Sequence, residues 1–138
     1  ITLKKPKEEI IKLVKFAGKD QDTKGIEIHV KNSKDRFRGR GGYVWYNGVV
    51  KMAKTSKYLA TACINPDASY PYFYQIRQYG IEEILFNNWE ECLVWLVAHE
   101  LMHCIQVRES LHLSEKEACI YANGILEDWR NKDENQPN

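Results

Sequence analysis

The chain has 138 residues, of which 43% are apolar and 12% aromatic, a size and composition that suit one compact domain with a core and exclude wholesale disorder. Lys plus Arg number 20 against 19 for Asp plus Glu, so the net charge of +1 selects no partner by itself. The longest apolar run, residues 92–98, falls far short of the roughly 20 residues that span a bilayer, so no membrane partner is expected.

Three lysines fall within residues 1–7, but no apolar stretch follows, so a signal peptide is not expected. Ile1 in place of a methionine fits a chain that is processed or cut from a longer one. Cys63, Cys92, Cys104 and Cys119 are widely spaced with no CxxC pair. That disfavours a cysteine zinc site and predicts buried, reduced thiols in a cytoplasmic protein.

In chain order, Pro6 followed by Lys7-Glu8-Glu9 opens a helix, with Ile10, Ile11, Leu13, Val14 and Ala17 as its apolar stripe and Gly18 as its stop. Ile26, Ile28 and Val30 alternate with Glu27 and His29, which predicts a strand. Residues 32–42 are polar, basic and glycine-containing, hence a connection. Residues 43–46 predict a second strand closed by Asn47-Gly48, with 49–52 as its returning partner. Residues 58–64 predict a further strand, ended by Asn65-Pro66-Asp67. The aromatic-rich stretch 70–79, with Pro71, receives no assignment.

The pattern changes at Asn88, which with Glu91 resembles a capping box. Residues 89–107 are apolar almost all round and contain no Lys or Arg, which predicts a helix buried at the domain centre. After a short polar link, Ser114-Glu115-Lys116-Glu117 opens a last helix with Ala118, Tyr121, Ala122, Ile125 and Trp129 on one face. The order helix, strands, buried helix, final helix is an α+β arrangement. Residues 1–130 form a single expected domain and 131–138 a polar tail.

The buried helix carries His99-Glu100-Leu101-Met102-His103. Histidines four apart stand one turn apart and project from one face, where their nitrogens can bind one Zn²⁺. Glu100 projects from the neighbouring side, where a carboxylate can take a proton from water acidified by the metal. Burying two imidazoles and a carboxyl among uncharged neighbours is costly unless a metal or hydrogen bonds satisfy them. The plainer reading is one core histidine, one surface histidine and a paired glutamate. His29 reads as an ordinary strand or surface residue.

A catalytic zinc takes about three protein ligands and leaves one position open. Gln106 and Glu109 stand where a metzincin needs Gly and His, which excludes that class. His112, Glu115 and Glu117 are the candidates for the third ligand. Glu117 is also the N3 residue of the Ser114 cap, where it can satisfy backbone donors instead. Glu115 lies nearer the middle of the apolar stripe, and His112 would make a three-histidine site.

Residues 96–105 resemble the active-site helix of zincin peptidases. Glu115-Lys116-Glu117-Ala118, followed by Tyr121-Ala122 and Ile125-Leu126, resembles the glutamate helix of gluzincins, closest to minimal gluzincins and to ImmA-type peptidases. The resemblance covers roughly residues 89–128. It implies a zincin-like fold, with a small mixed or antiparallel sheet packed on the active-site helix, and zinc held by His99, His103 and Glu117. It further implies a peptide or protein substrate laid along an edge strand, Tyr58–Ile64, with Glu100 as general base. Tyr121, one turn beyond Glu117, is the candidate donor to the oxyanion, with a packed core tyrosine as its plainer reading.

Two other classes compete. Residues 31–57 hold eight basic side chains against Asp35, with Tyr43, Trp45 and Tyr46 interleaved. Such a segment can hold single-stranded nucleic acid, as in SprT-like proteases, or form a solvated hairpin. A non-catalytic metal-binding interaction domain is the other class, and an intact Glu100 argues against it.

Overall fold

The structure is a computed structural model, and it describes residues 3–32, 45–46, 49–50, 58–67, 69–76, 82–109 and 112–132. The first helix, α1 (Lys7–Ala17), buries Ile10, Leu13 and Ala17 and ends at Gly18. A Cβ at Gly18 would lie 3.1 Å from Thr23 Cγ2 and 3.2 Å from Leu101 Cδ2, so a larger residue at this turn would have to displace those side chains by a few tenths of an ångström.

Strand β1 (Ile26–Asn32) pairs in parallel with β4 (Tyr58–Ile64), Ile26 opposite Tyr58 through Asn32 opposite Ile64. Between them in sequence, β2 (Trp45–Tyr46) pairs antiparallel with β3 (Val49–Val50), as the sequence predicts; the Asn47-Gly48 turn and most of the basic segment 31–57 lie outside the described residues. The unassigned aromatic stretch forms β5 (Tyr72–Ile76), antiparallel to β6 (Glu82–Phe86). The architecture is α+β, with both parallel and antiparallel pairing.

The central helix α2 (Trp89–Arg108) starts as its cap predicts: Asn88 Oδ1 accepts the Glu91 N–H at 2.9 Å. The reciprocal bond goes one residue further back, because Glu91 Oε1 accepts the amide of Asn87 at 3.0 Å. Glu91 is buried and also bonded by Arg130, which holds its carboxyl below the usual range despite burial. Helix α2 is enclosed on every side, packing on α3 (Glu115–Asn131), β4 and α1. Leu93, Leu96 and Leu101 are at most 2% exposed, and truncating any of them to Ala costs about 2–5 kcal/mol. Helix α3 buries Ala118, Cys119, Ala122, Ile125 and Leu126, and runs through Asn131, one residue into the expected tail. All four cysteines are free thiols. No helix among the described residues is long and apolar enough to cross a membrane.

Candidate metal centre

Helix spacing puts His99 and His103 on one face of α2, with ring centroids 4.8 Å apart and planes at 84°. The carboxylate that meets them comes from the first turn of α3. Glu115 Oε1 lies 2.8 Å from His103 Nε2, and Glu115 Oε2 lies 3.1 Å from His99 Nε2. Ligand atoms of His99, His103 and Glu115 all fall within 4.8 Å of one another.

The expected third member, Glu117, is not in this group. Its side chain is exposed, and its backbone N–H donates to Ser114 Oγ at 3.1 Å. Two residues on a helix are about 200° apart around the axis, so α3 can turn only one of the two glutamates towards α2. The stripe position of Glu115 was the sequence signal for it. His112 is exposed and outside the cluster, and His29 pairs with Glu27 at 3.2 Å on β1.

Each imidazole has a partner behind it. His103 Nδ1 faces Gln106 Oε1 at 3.0 Å, and His99 Nδ1 lies 3.7 Å from Cys119 Sγ. Trp95 stacks on His99 at 4.9 Å and 20°, and its indole N–H donates to Asn123 Oδ1 at 2.8 Å. These groups lock ring orientation, the task of the outer shell in a metal site. Gln106 stands one turn beyond His103, a spacing that could have marked it in the sequence; Cys119, on another helix, offers no such local signal.

Burial, then the proximity of His103, lowers the pKa of His99, although Glu115 pulls the other way. His99 is therefore neutral at neutral pH, and its contact with Glu115 is not an ion pair with an imidazolium. Glu100 is buried, and its pKa is pushed up to about 8, first by desolvation and then by the charge of Glu115. Glu100 Oε2 is buried with no hydrogen-bond partner among the described residues, while Oε1 lies 3.9 Å from His99 Nε2.

This donor set fits a divalent cation. Two imidazoles and a carboxylate are the N/O ligands that zinc and similar ions take. A cation beside Glu100 would also offset the desolvation that now opposes its charge. The grouping could hold a metal ion, with Glu100 beside the ligands rather than among them.

Tyr121 does not join the site. Its hydroxyl donates to the Ala17 carbonyl at 2.7 Å, tying α3 to the end of α1, and burial pushes its pKa up to about 12. The packed-tyrosine reading describes it. The tyrosine that senses the site is Tyr74 on β5, missed in the unassigned stretch. Its ring lies 5.6 Å from that of Trp95, and burial, then the charge of Glu100, raises its pKa. The chain matches no protein-family model, no curated protein and no solved structure.

Proposed function

We propose that the chain is a zinc-dependent peptidase of the gluzincin type, with His99, His103 and Glu115 as its metal ligands and Glu100 as its general base. The observation that carries this reading is the convergence of those three ligand groups beside a buried carboxyl whose Oε2 has no hydrogen-bond partner among the described residues. A structural metal site has no use for that fourth group, and a purely structural carboxyl would be bonded.

When bound, zinc supplies Lewis acidity, polarising a carbonyl and lowering the pKa of water. The chain's own residues do the rest. Glu100 accepts a proton from water through its free oxygen and returns it to the leaving amine; a bound cation would draw down the raised pKa that keeps this carboxyl protonated without metal. Trp95, stacked on His99 and backed by Phe86, keeps water from that face of the ring. Strand β4 pairs with β1 along one edge; its other edge has no strand partner among the described residues and offers backbone groups to an extended peptide.

The test is metal analysis of the purified protein beside a quenched-peptide assay. The expected result is a single zinc per chain, cleavage by the wild type, and a Glu100→Gln variant that keeps zinc but loses cleavage. A wild type that takes up no zinc, or a Glu100→Gln variant that cleaves at the wild-type rate, overturns the proposal.

A further inference from the structure

The side chain of Gln106 is fully buried between the two helices that carry the ligands, and its amide is held from two directions. The backbone of Ser114 binds it twice: Nε2 donates to the Ser114 carbonyl at 3.1 Å, and Oε1 accepts the Ser114 N–H at 3.2 Å. Oε1 also lies 3.0 Å from His103 Nδ1.

The two bonds to Ser114 settle which end of the amide is oxygen. Reversing it would set an NH₂ against the Ser114 N–H and an oxygen against the Ser114 carbonyl, leaving both pairs mismatched. The atom facing His103 Nδ1 is therefore an acceptor, and Nδ1 must bring the proton. That leaves Nε2, 2.8 Å from Glu115 Oε1, as the nitrogen a metal ion would take. Either a proton or a metal ion between Nε2 and the carboxylate satisfies both groups.

We propose that Gln106 is the positioning residue of the metal centre. It keys His103 with Nδ1–H as donor, so that Nε2 is the nitrogen turned to the ion. Through Ser114, the residue immediately before Glu115, the same amide ties that imidazole to the first turn of α3. One side chain thus sets two ligands from different helices relative to each other. Among the described residues, His99 has the sulfur of Cys119 in the corresponding place, a weaker partner with no backbone key. The role rests on the reading of His99, His103 and Glu115 as a metal site, and not on peptidase activity.

Imidazole ¹⁵N NMR of the metal-free protein reads the tautomer directly. The wild type is expected to show His103 as Nδ1–H, and Gln106→Leu to revert towards the Nε2–H form that an unconstrained histidine side chain favours. Zinc affinity, from chelator competition, should fall about 10–100-fold in Gln106→Leu, the usual effect of losing an outer-shell partner. Gln106→Glu keeps an oxygen towards Nδ1 and the Ser114 N–H but loses the donor to the Ser114 carbonyl. It should lower thermal stability yet hold the Nδ1–H tautomer and most of the zinc affinity. A residue that only braces the turn would instead lose affinity in step with stability in both variants, and that result overturns the role. The wild-type spectrum decides even if a variant fails to fold: an Nε2–H tautomer with normal zinc binding refutes the part given to Gln106 alone. An Nδ1–H tautomer with no zinc binding refutes the metal-centre reading, and the role with it.

Discussion

Replacing Glu115 by alanine removes both oxygens that reach the imidazoles, 2.8 Å from His103 and 3.1 Å from His99. Loss of a mere outer-shell partner weakens metal binding about 10–100-fold, so loss of a group in direct contact should cost at least about 100-fold. With zinc held at about 100 times the wild-type Kd, binding stabilises the folded protein by about 2.7 kcal/mol, and a 100-fold weaker variant retains only about 0.4 kcal/mol. At an unfolding entropy of about 2.1 cal/mol/K per residue, those energies correspond to a zinc-induced rise in Tm of about 9 °C and about 1 °C. Glu117→Ala is the matched control. Its exposed side chain contributes only a first-turn charge worth about 0.3–1 kcal/mol, with or without metal, so its zinc shift should stay near the wild-type value. Differential scanning fluorimetry with zinc and with chelator measures all three. A zinc shift kept by Glu115→Ala and lost by Glu117→Ala would refute the geometry.

The metal-free protein should also carry a pH signature. The folded pKa of His99 lies below 6.5, so its cost to stability appears only as pH falls beneath 6.5. That of Glu100 is raised from 4.5 to about 8, so stability falls as pH rises through that window. Between pH 6.5 and 8 the Glu100 effect acts without His99, with a slope of at most about 1.4 kcal/mol per pH unit. Urea midpoints in chelator should decline across this window in the wild type and stay flat in Glu100→Gln; a flat wild type refutes the assignment. Tyr121→Phe leaves the Ala17 carbonyl without its donor and should cost about 1 kcal/mol in urea unfolding, with zinc affinity and cleavage unchanged. A loss of kcat in that variant would restore Tyr121 to the reaction.

Much of the helical framework was legible because its signals are local. The caps at Asn88 and Ser114, the stop at Gly18 and the all-round apolar character of α2 each act within a few residues. Strand β5 escaped notice because its aromatic-rich sequence beside Pro71 shows no clean alternation, and β6 because Glu82–Phe86 is a short run with two acidic residues at its start. The parallel match of β1 with β4 was equally hidden, since strand pairing is a choice between segments far apart in the chain.

The sequence by itself determined that two imidazoles share a face of a buried helix with a glutamate beside them, because a helical turn fixes positions four apart whatever surrounds it. Which acidic residue completes the group, which tyrosine lies near it and which amide orients His103 were decided only when α2 and α3 packed together. That packing turns Glu115 inward and leaves Glu117 in solvent, brings Gln106 against Ser114, and commits the Tyr121 hydroxyl to α1. The physical reason is that spacing along one element is set by backbone geometry, whereas contact between elements is set by how their side chains fill the space between them.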